Sequence, residues 1–378
     1  MTGPASADLI IRCCMAGWLD EEQAASKLDL DIAEFDVLMQ DHGLADKAMM
    51  PFAIDSEHVV SFADVGRQDF SLPRFDDTID GLRELSLGSK PLCFPLAISN
   101  PPDFLKPSHV DLPQGLIFHV GRCGSTLLSV LLGELLDCTT LKEPEVVNHL
   151  LARRSPDAAA DGVSDEMLLR LMQSFAAGVR RAGGIQRRDC LIKMTSWNLI
   201  AIGDLLDRVV GLRAVMLVRD PISTVASMVA NPPGWYYSSQ HSPSSSVETM
   251  VRIFVAEWAS IVRAALRLKS PPLIIDYDGL MRDPFHTVCA IADHFRMPVP
   301  DTRQALAAAA PILGRYVKSG GYEHYDPGGQ HKRSDLSDAH KALVHDLAGE
   351  VWREVRELAG LGMLPISHLR QGQMTAGS

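Results

Sequence analysis

From residue 115 onward, short apolar runs and longer amphipathic runs alternate along the chain. "GLIFHV" (115–120), "DCLIKM" (189–194), "LRAVMLV" (212–218) and "PLIIDY" (272–277) read as buried strands. Between and after them, "STLLSVLLGELL" (125–136), "PISTVASMVA" (221–230) and "VETMVRIFVAEWASIVRAALRLK" (247–269) have helical periodicity. Strands that alternate with helices predict an α/β fold: three layers, with a central parallel sheet covered by helices on both faces. In such folds ligands gather at the carboxyl ends of the strands.

The first 45 residues follow another rhythm. Ala24, Ala25 and Leu28, then Ile32, Phe35, Leu38 and Met39, fall at helical spacing. Asp20 with Gln23, and Asp31 with Glu34, match capping boxes at two helix starts. The pair resembles a helix-turn-helix, but residues 16–46 hold nine acidic residues and one lysine, Lys27. A phosphate backbone would repel that face, so the reading is an interaction or homodimerisation module, with a plain structural cap as the alternative. Residues 46–112 are rich in Pro and polar residues, which predicts irregular structure with a few strands. The boundaries read from these patterns are a helical module at 1–45, a connecting or cap segment at 46–112, and a phosphate-loop domain at 113–378.

Composition narrows the function. The net charge of -11 argues against a nucleic-acid partner, which would need a basic face to displace counterions. The seven cysteines lack the spacing of a zinc site, and scattered thiols point to a reducing compartment, here the cytoplasm. No apolar run reaches the length of a membrane span, and no metal is expected.

Two stretches carry chemistry. Gly121, Arg122, Cys123, Gly124, Ser125 and Thr126 stand between a strand and a helix, where backbone N–H groups and the helix dipole can hold an anion. A tight turn with no ligand would look the same. The triphosphate loop GxxxxGK[ST] is not reproduced: Gly124 is followed by Ser125 with no lysine, and the positive charge lies earlier, at Arg122. The second stretch is "VMLVRDPISTVASM", in which Arg219 closes a strand, Asp220 and Pro221 open a helix, and Ser227 follows eight residues after Arg219. An arginine at a strand end can grip a phosphate as a fork, or simply pair with an acid.

Together the two stretches resemble the PAPS-dependent sulfotransferases, PAPS being 3′-phosphoadenosine-5′-phosphosulfate. In that family a PRSGTT- or PKSGTT-type loop holds the 5′-phosphosulfate, and an Arg with a Ser eight residues later holds the 3′-phosphate. This chain departs from the pattern with Gly at 121 and Cys at 123. "IDYDGLMRDPFHTVCAIADHFRMP" (275–298) is similar to a later stretch of the family. The resemblance covers roughly residues 113–320.

What the resemblance implies is sulfuryl transfer from PAPS, which leaves 3′,5′-adenosine diphosphate, to a hydroxyl such as a phenol or peptidyl tyrosine. Glu143 corresponds to the base of the tyrosylprotein-like branch, with Glu145 as the nearby rival. Arg122 and Lys193 correspond to charge stabilisers, and Lys318 to a cofactor clamp. His119, inside the strand, reads as packed. Trp235, Tyr236 and Tyr237 read as an acceptor-facing loop or as residues packed on their own domain. Two other readings stay open: a phosphate-loop kinase or NTPase, which lacks its lysine here, and a non-catalytic nucleotide-binding scaffold.

Overall fold

A computed structural model describes residues 7–16, 18–41, 47–66, 70, 74–85, 92–95, 112–154, 163–182, 189–209, 211–238, 245–299, 312 and 336–360. The elements are α1 (Ala7–Met15), α2 (Glu21–Lys27), α3 (Ile32–Asp41), β1 (Met49–Ile54), β2 (Val59–Asp64), α4 (Phe75–Leu85) and β3 (Leu92–Pro95). Then come β4 (Gly115–His119), α5 (Ser125–Leu135), β5 (Cys138–Lys142), α6 (Glu145–Leu151), α7 (Asp165–Ala182), β6 (Asp189–Lys193) and α8 (Asn198–Arg208). The rest are β7 (Ala214–Val218), α9 (Pro221–Ala230), α10 (Gly234–Ser238), α11 (Val247–Leu266), β8 (Leu273–Asp276), α12 (Tyr277–Arg282), α13 (Pro284–Phe295) and α14 (Asp338–Gly360).

The α/β expectation is met. Five strands form one parallel sheet in the order β5-β6-β4-β7-β8, and three others form an antiparallel sheet in the order β1-β2-β3. β4, β5 and β7 are buried at every position, as two-sided coverage by helices requires. "CTTLK" at β5 is polar by composition and becomes a strand because all five of its residues are buried.

The chain divides into two compact units. The first comprises Met1–Leu116, Asp137–Thr195 and Arg208–Leu212. Both expected capping boxes form here. Asp20 accepts from Gln23 N at 2.6 Å while Gln23 accepts from Asp20 N at 3.2 Å, and Asp31 and Glu34 exchange the same pair at 2.9 Å each. α7 packs on β1 and β6. Gly178 of α7 permits that approach, because a Cβ there would stand 2.7 Å from the Met49 carbonyl oxygen. Arg170 is buried on α7, paired with Glu166 and lying 5.1 Å from the Trp18 ring. The Trp18 indole N–H donates to Ser174 at 2.9 Å, so the N-terminal segment is anchored to α7. In this unit β5 and β6 run parallel, with Lys142 opposite Lys193.

The second unit comprises Ile117–Leu136, Ser196–Asp207 and Arg213–Ser378. β7 and β8 run parallel, and α9, α11 and α14 pack on one another. Phe254, Trp258, Val255 and Ile261 of α11 are fully or almost fully buried, each contributing about 1.5–3 kcal/mol or more by apolar burial. Two Asp-Pro steps start helices here. Asp220 accepts from Ser223 N at 2.8 Å ahead of Pro221, and Asp283 accepts from His286 N at 3.0 Å ahead of Pro284. Among the described residues, no helix is long and apolar enough to cross a membrane.

Candidate functional site

In the second unit β4 delivers the glycine loop. Val120 N donates to Leu217 O of β7, and the chain then turns through Gly121–Gly124 into α5. Arg122 (φ 57°) and Gly124 (φ 84°) both adopt the left-handed region, costly for Arg122 and natural for Gly124. Gly124 is the N-cap of α5 and offers no side chain to its first-turn N–H groups, so that end of the helix is suited to an external anion. Cys123 points inward and is fully buried, which accounts for a small apolar residue at this place in the loop. A Cβ on Gly124 would stand 2.7 and 2.9 Å from the Tyr277 ring, and one on Gly121 would stand 2.3 Å from the Met228 methyl.

Arg219 leaves the end of β7 toward the same loop. Its Nη1 donates to the Arg122 carbonyl at 3.3 Å, and its guanidinium lies 4.4 Å from the centroid of the Tyr277 ring. The Trp258 indole N–H fixes the Arg219 carbonyl at 3.2 Å. The Arg122 guanidinium donates through Nη2 to Asn231 O at 2.7 Å, just past the end of α9, and Asn231 N bonds Ser227 O at 3.2 Å. Gly121, Arg122, Gly124, Arg219 and the Ser227 turn of α9 therefore form one cluster. Tyr277, Asn231 and Met228 belong to it and were not among the expected residues. Tyr277 had a signal, since it is the first residue after β8, at a strand's carboxyl end.

In the first unit, Lys193 and Glu143 come together. Lys193 ends β6 with its side chain buried, 3% exposed, and its Nζ stands 2.6 Å from Glu143 Oε1, on a side chain that is 29% exposed. Glu143 N donates to Lys193 O at 2.7 Å, and Glu143 adopts a left-handed backbone (φ 55°). Pro144 stands at the N-cap of α6 and gives no side-chain cap. The acceptor for the helix start comes from α4, where Asp76 Oδ2 accepts from Glu145 N at 3.0 Å. Burial pushes the Asp76 carboxyl up to about 6, against this hydrogen bond. The Glu145 side chain is exposed.

Other expected residues find plainer places. His119 is buried, its Nδ1 3.0 Å from Val120 O. The aromatic trio lies on the short helix α10 rather than in an open loop. Tyr236 is fully buried and packs with Trp235 on Phe254, at 5.3 and 5.7 Å between ring centroids, because these rings complete the α11 core. Only Tyr237 is exposed, at 48%. Glu257 of α11 was not expected. Burial pushes its carboxyl up to about 7, and it accepts from the Ser196 hydroxyl at 3.3 Å. Lys318 lies outside the described residues. Among the described residues, no cluster of three His, Cys, Asp or Glu is placed to hold a metal.

Residues 116–301 match the sequence model of the sulfotransferase family. Among solved structures, the chain is similar to the sulfotransferase domain from the curacin biosynthetic pathway, at 17% identity over 66% of this chain and 98% of that one, with a TM-score of 0.38. It is similar to a sulfotransferase from Alicyclobacillus acidocaldarius, at 18% identity over 61% and 98%, with a TM-score of 0.33. A third is the sulfotransferase domain of the Synechococcus PCC 7002 olefin synthase, at 16% identity over 70% and 98%, with a TM-score of 0.38. No curated protein matches the chain.

Proposed function

The chain belongs to the sulfotransferase family through residues 116–301, and from that premise we propose that it moves a sulfuryl group from PAPS to a hydroxyl-bearing acceptor. The observation that carries the donor reading is the bond from Arg219 Nη1 to the Arg122 carbonyl, which ties the two anion-binding motifs into one cluster. Such a donor, with charge at both its 5′ and 3′ positions, suits a site with two arginines better than a triphosphate that needs a loop lysine and magnesium.

The residues fit that donor. Gly121, Cys123, Gly124, Ser125 and Thr126 would hold the 5′-phosphosulfate through the uncapped start of α5, with Arg122 as the cation. Arg219 and Ser227 would hold the 3′-phosphate. When bound, PAPS supplies an activated sulfuryl group whose departure leaves 3′,5′-adenosine diphosphate.

Glu143 is the base in this reading and takes the proton of the acceptor hydroxyl. Lys193 orients it, since a buried stem and a second, main-chain bond fix where the carboxylate stands. Lys193 also brings positive charge, as Arg122 does, to oppose the negative charge that develops on the leaving oxygen. Phenols and peptidyl tyrosine are the proposed acceptors.

The test is a thermal-shift panel followed by an acceptor screen with labelled PAPS. Stabilisation by 3′,5′-adenosine diphosphate and none by ATP with magnesium is expected; the reverse pattern would sink the proposal.

A further inference from the structure

We propose that Asp76, on a helix outside the family-matched region, is a positioning residue for Glu143. The inference rests on the reading of Glu143 as base and asks what holds that carboxylate in place. Glu143 sits at the point where β5 ends and α6 begins, in a left-handed backbone conformation (φ 55°) that is unfavourable for a non-glycine residue. Such a conformation persists where its neighbours over-determine it.

The neighbours on both sides of Glu143 are gripped by one short stretch. Before it, the buried Lys142 ammonium donates to Phe70 O at 3.4 Å. After it, Glu145 N donates to Asp76 Oδ2 at 3.0 Å. That N–H is an orphan of the α6 helix start, and Pro144 has no side-chain acceptor to offer it. A carboxylate there satisfies the donor and also complements the positive end of the helix dipole.

The gripping stretch is itself anchored. Phe70 stacks on Phe75 at 5.8 Å with the rings 12° apart, and Phe75 meets Phe175 of α7 edge-on at 5.4 Å. Phe75 and Phe175 are buried to 1% and 0% exposure. Asp76 follows Phe75 directly, so its carboxylate is delivered from a packed aromatic cluster rather than from a free loop. Three main-chain or side-chain bonds thus converge on Lys142–Glu145: Phe70 from one side, Asp76 from the other, and Lys193 O on Glu143 N. The connecting segment at 46–112 thereby acquires a role in the reaction.

The experiment uses the full chain with Asp76→Ala, Asp76→Asn and, as a separate arm, Glu143→Gln. Amide hydrogen exchange over residues 142–147 is measured alongside release of 3′,5′-adenosine diphosphate from PAPS, with phenol as the probe acceptor. Asp76→Ala is expected to speed exchange at Glu145 about 10-fold and lower kcat about 10-fold, with KM for PAPS unchanged, the size of one lost charge-assisted bond. Asp76→Asn, whose amide oxygen still accepts although it carries no charge, is expected to recover most of both. Unchanged exchange and kcat in Asp76→Ala, or an Asp76→Asn no better than the alanine, overturns the proposal. Should Asp76→Ala fail to fold, Asp76→Asn and wild type still decide it: turnover about 10-fold slower and exchange about 10-fold faster in the asparagine variant overturn it. If Glu143→Gln turns over normally, the base reading falls instead, and exchange at Glu145 still reports whether Asp76 holds the turn.

Discussion

Glu143 and Lys193 are joined twice: the Lys193 ammonium stands 2.6 Å from Glu143 Oε1, and Glu143 N donates to Lys193 O at 2.7 Å. The side-chain pair could form with many backbone arrangements, but the main-chain bond fixes how far the glutamate sits past the end of the neighbouring strand. The carboxylate is therefore placed by the β5–β6 register, in which Lys142 faces Lys193.

Glu143→Gln should lower sulfuryl transfer about 10²–10⁴-fold, the usual worth of a general base, while 3′,5′-adenosine diphosphate affinity stays within twofold. The glutamine removes the negative charge opposite the buried Lys193 ammonium, so melting should also fall, by about 1–3 kcal/mol of stability. Single-turnover kinetics beside calorimetric titration of the nucleotide separates the two effects; normal turnover removes Glu143 from the mechanism.

Arg219→Ala should weaken 3′,5′-adenosine diphosphate about 10–150-fold, the loss of one charge-assisted interaction of about 1.5–3 kcal/mol. Adenosine 5′-monophosphate, which lacks the 3′-phosphate, should lose markedly less affinity than 3′,5′-adenosine diphosphate. Equal losses for both nucleotides would show that Arg219 does not read the 3′ position.

The two loop glycines should respond differently to alanine. At Gly124 the new Cβ meets the Tyr277 ring in a left-handed backbone, so Gly124→Ala should abolish measurable donor binding and cost about 1–2 kcal/mol of stability. At Gly121 the Cβ meets only the terminal methyl of Met228, which can swing aside, so Gly121→Ala should bind donor within about tenfold of wild type. Nucleotide titration and melting curves of both variants check this.

Glu257 makes stability pH-dependent. Its carboxyl, raised to about 7 by burial, binds a proton more tightly folded than unfolded. Stability from this group is therefore present at low pH and is lost as pH rises toward and through about 7. Glu257→Gln should flatten the fall in melting temperature between about pH 4.5 and about pH 7. A slope identical to wild type would refute the assignment.

How much of this was legible in the sequence depended on how local the cause was. The capping boxes at Asp20 and Asp31 were legible because each closes over three residues. β4, β6, β7 and β8 were legible from apolar runs, whereas β5 was not, since "CTTLK" becomes a buried strand only through its place in the sheet. The α4 helix hid among acidic residues, with Phe75, Ile79 and Leu82 as its sparse apolar spacing. Arg-Asp-Pro occurs at 219–221 and at 282–284, and both copies start capped helices. Only the first has a serine eight residues beyond its arginine, the second having Ala290, and the arginine of the first copy bonds the glycine loop. Tyr277, Asn231 and Asp76 act across long sequence separations, and no local pattern marks their partners.

The ring of Tyr277 has Arg219 over one part of it and the bare Cα of Gly124 against its edge. It works as a shared spacer: the glycine loop and the arginine that follows β7 are gauged against the same flat surface. Changes at Arg219 and Tyr277 should therefore combine less than additively, with coupling on the order of 0.5–3 kcal/mol, and a double-mutant cycle on nucleotide affinity would measure it.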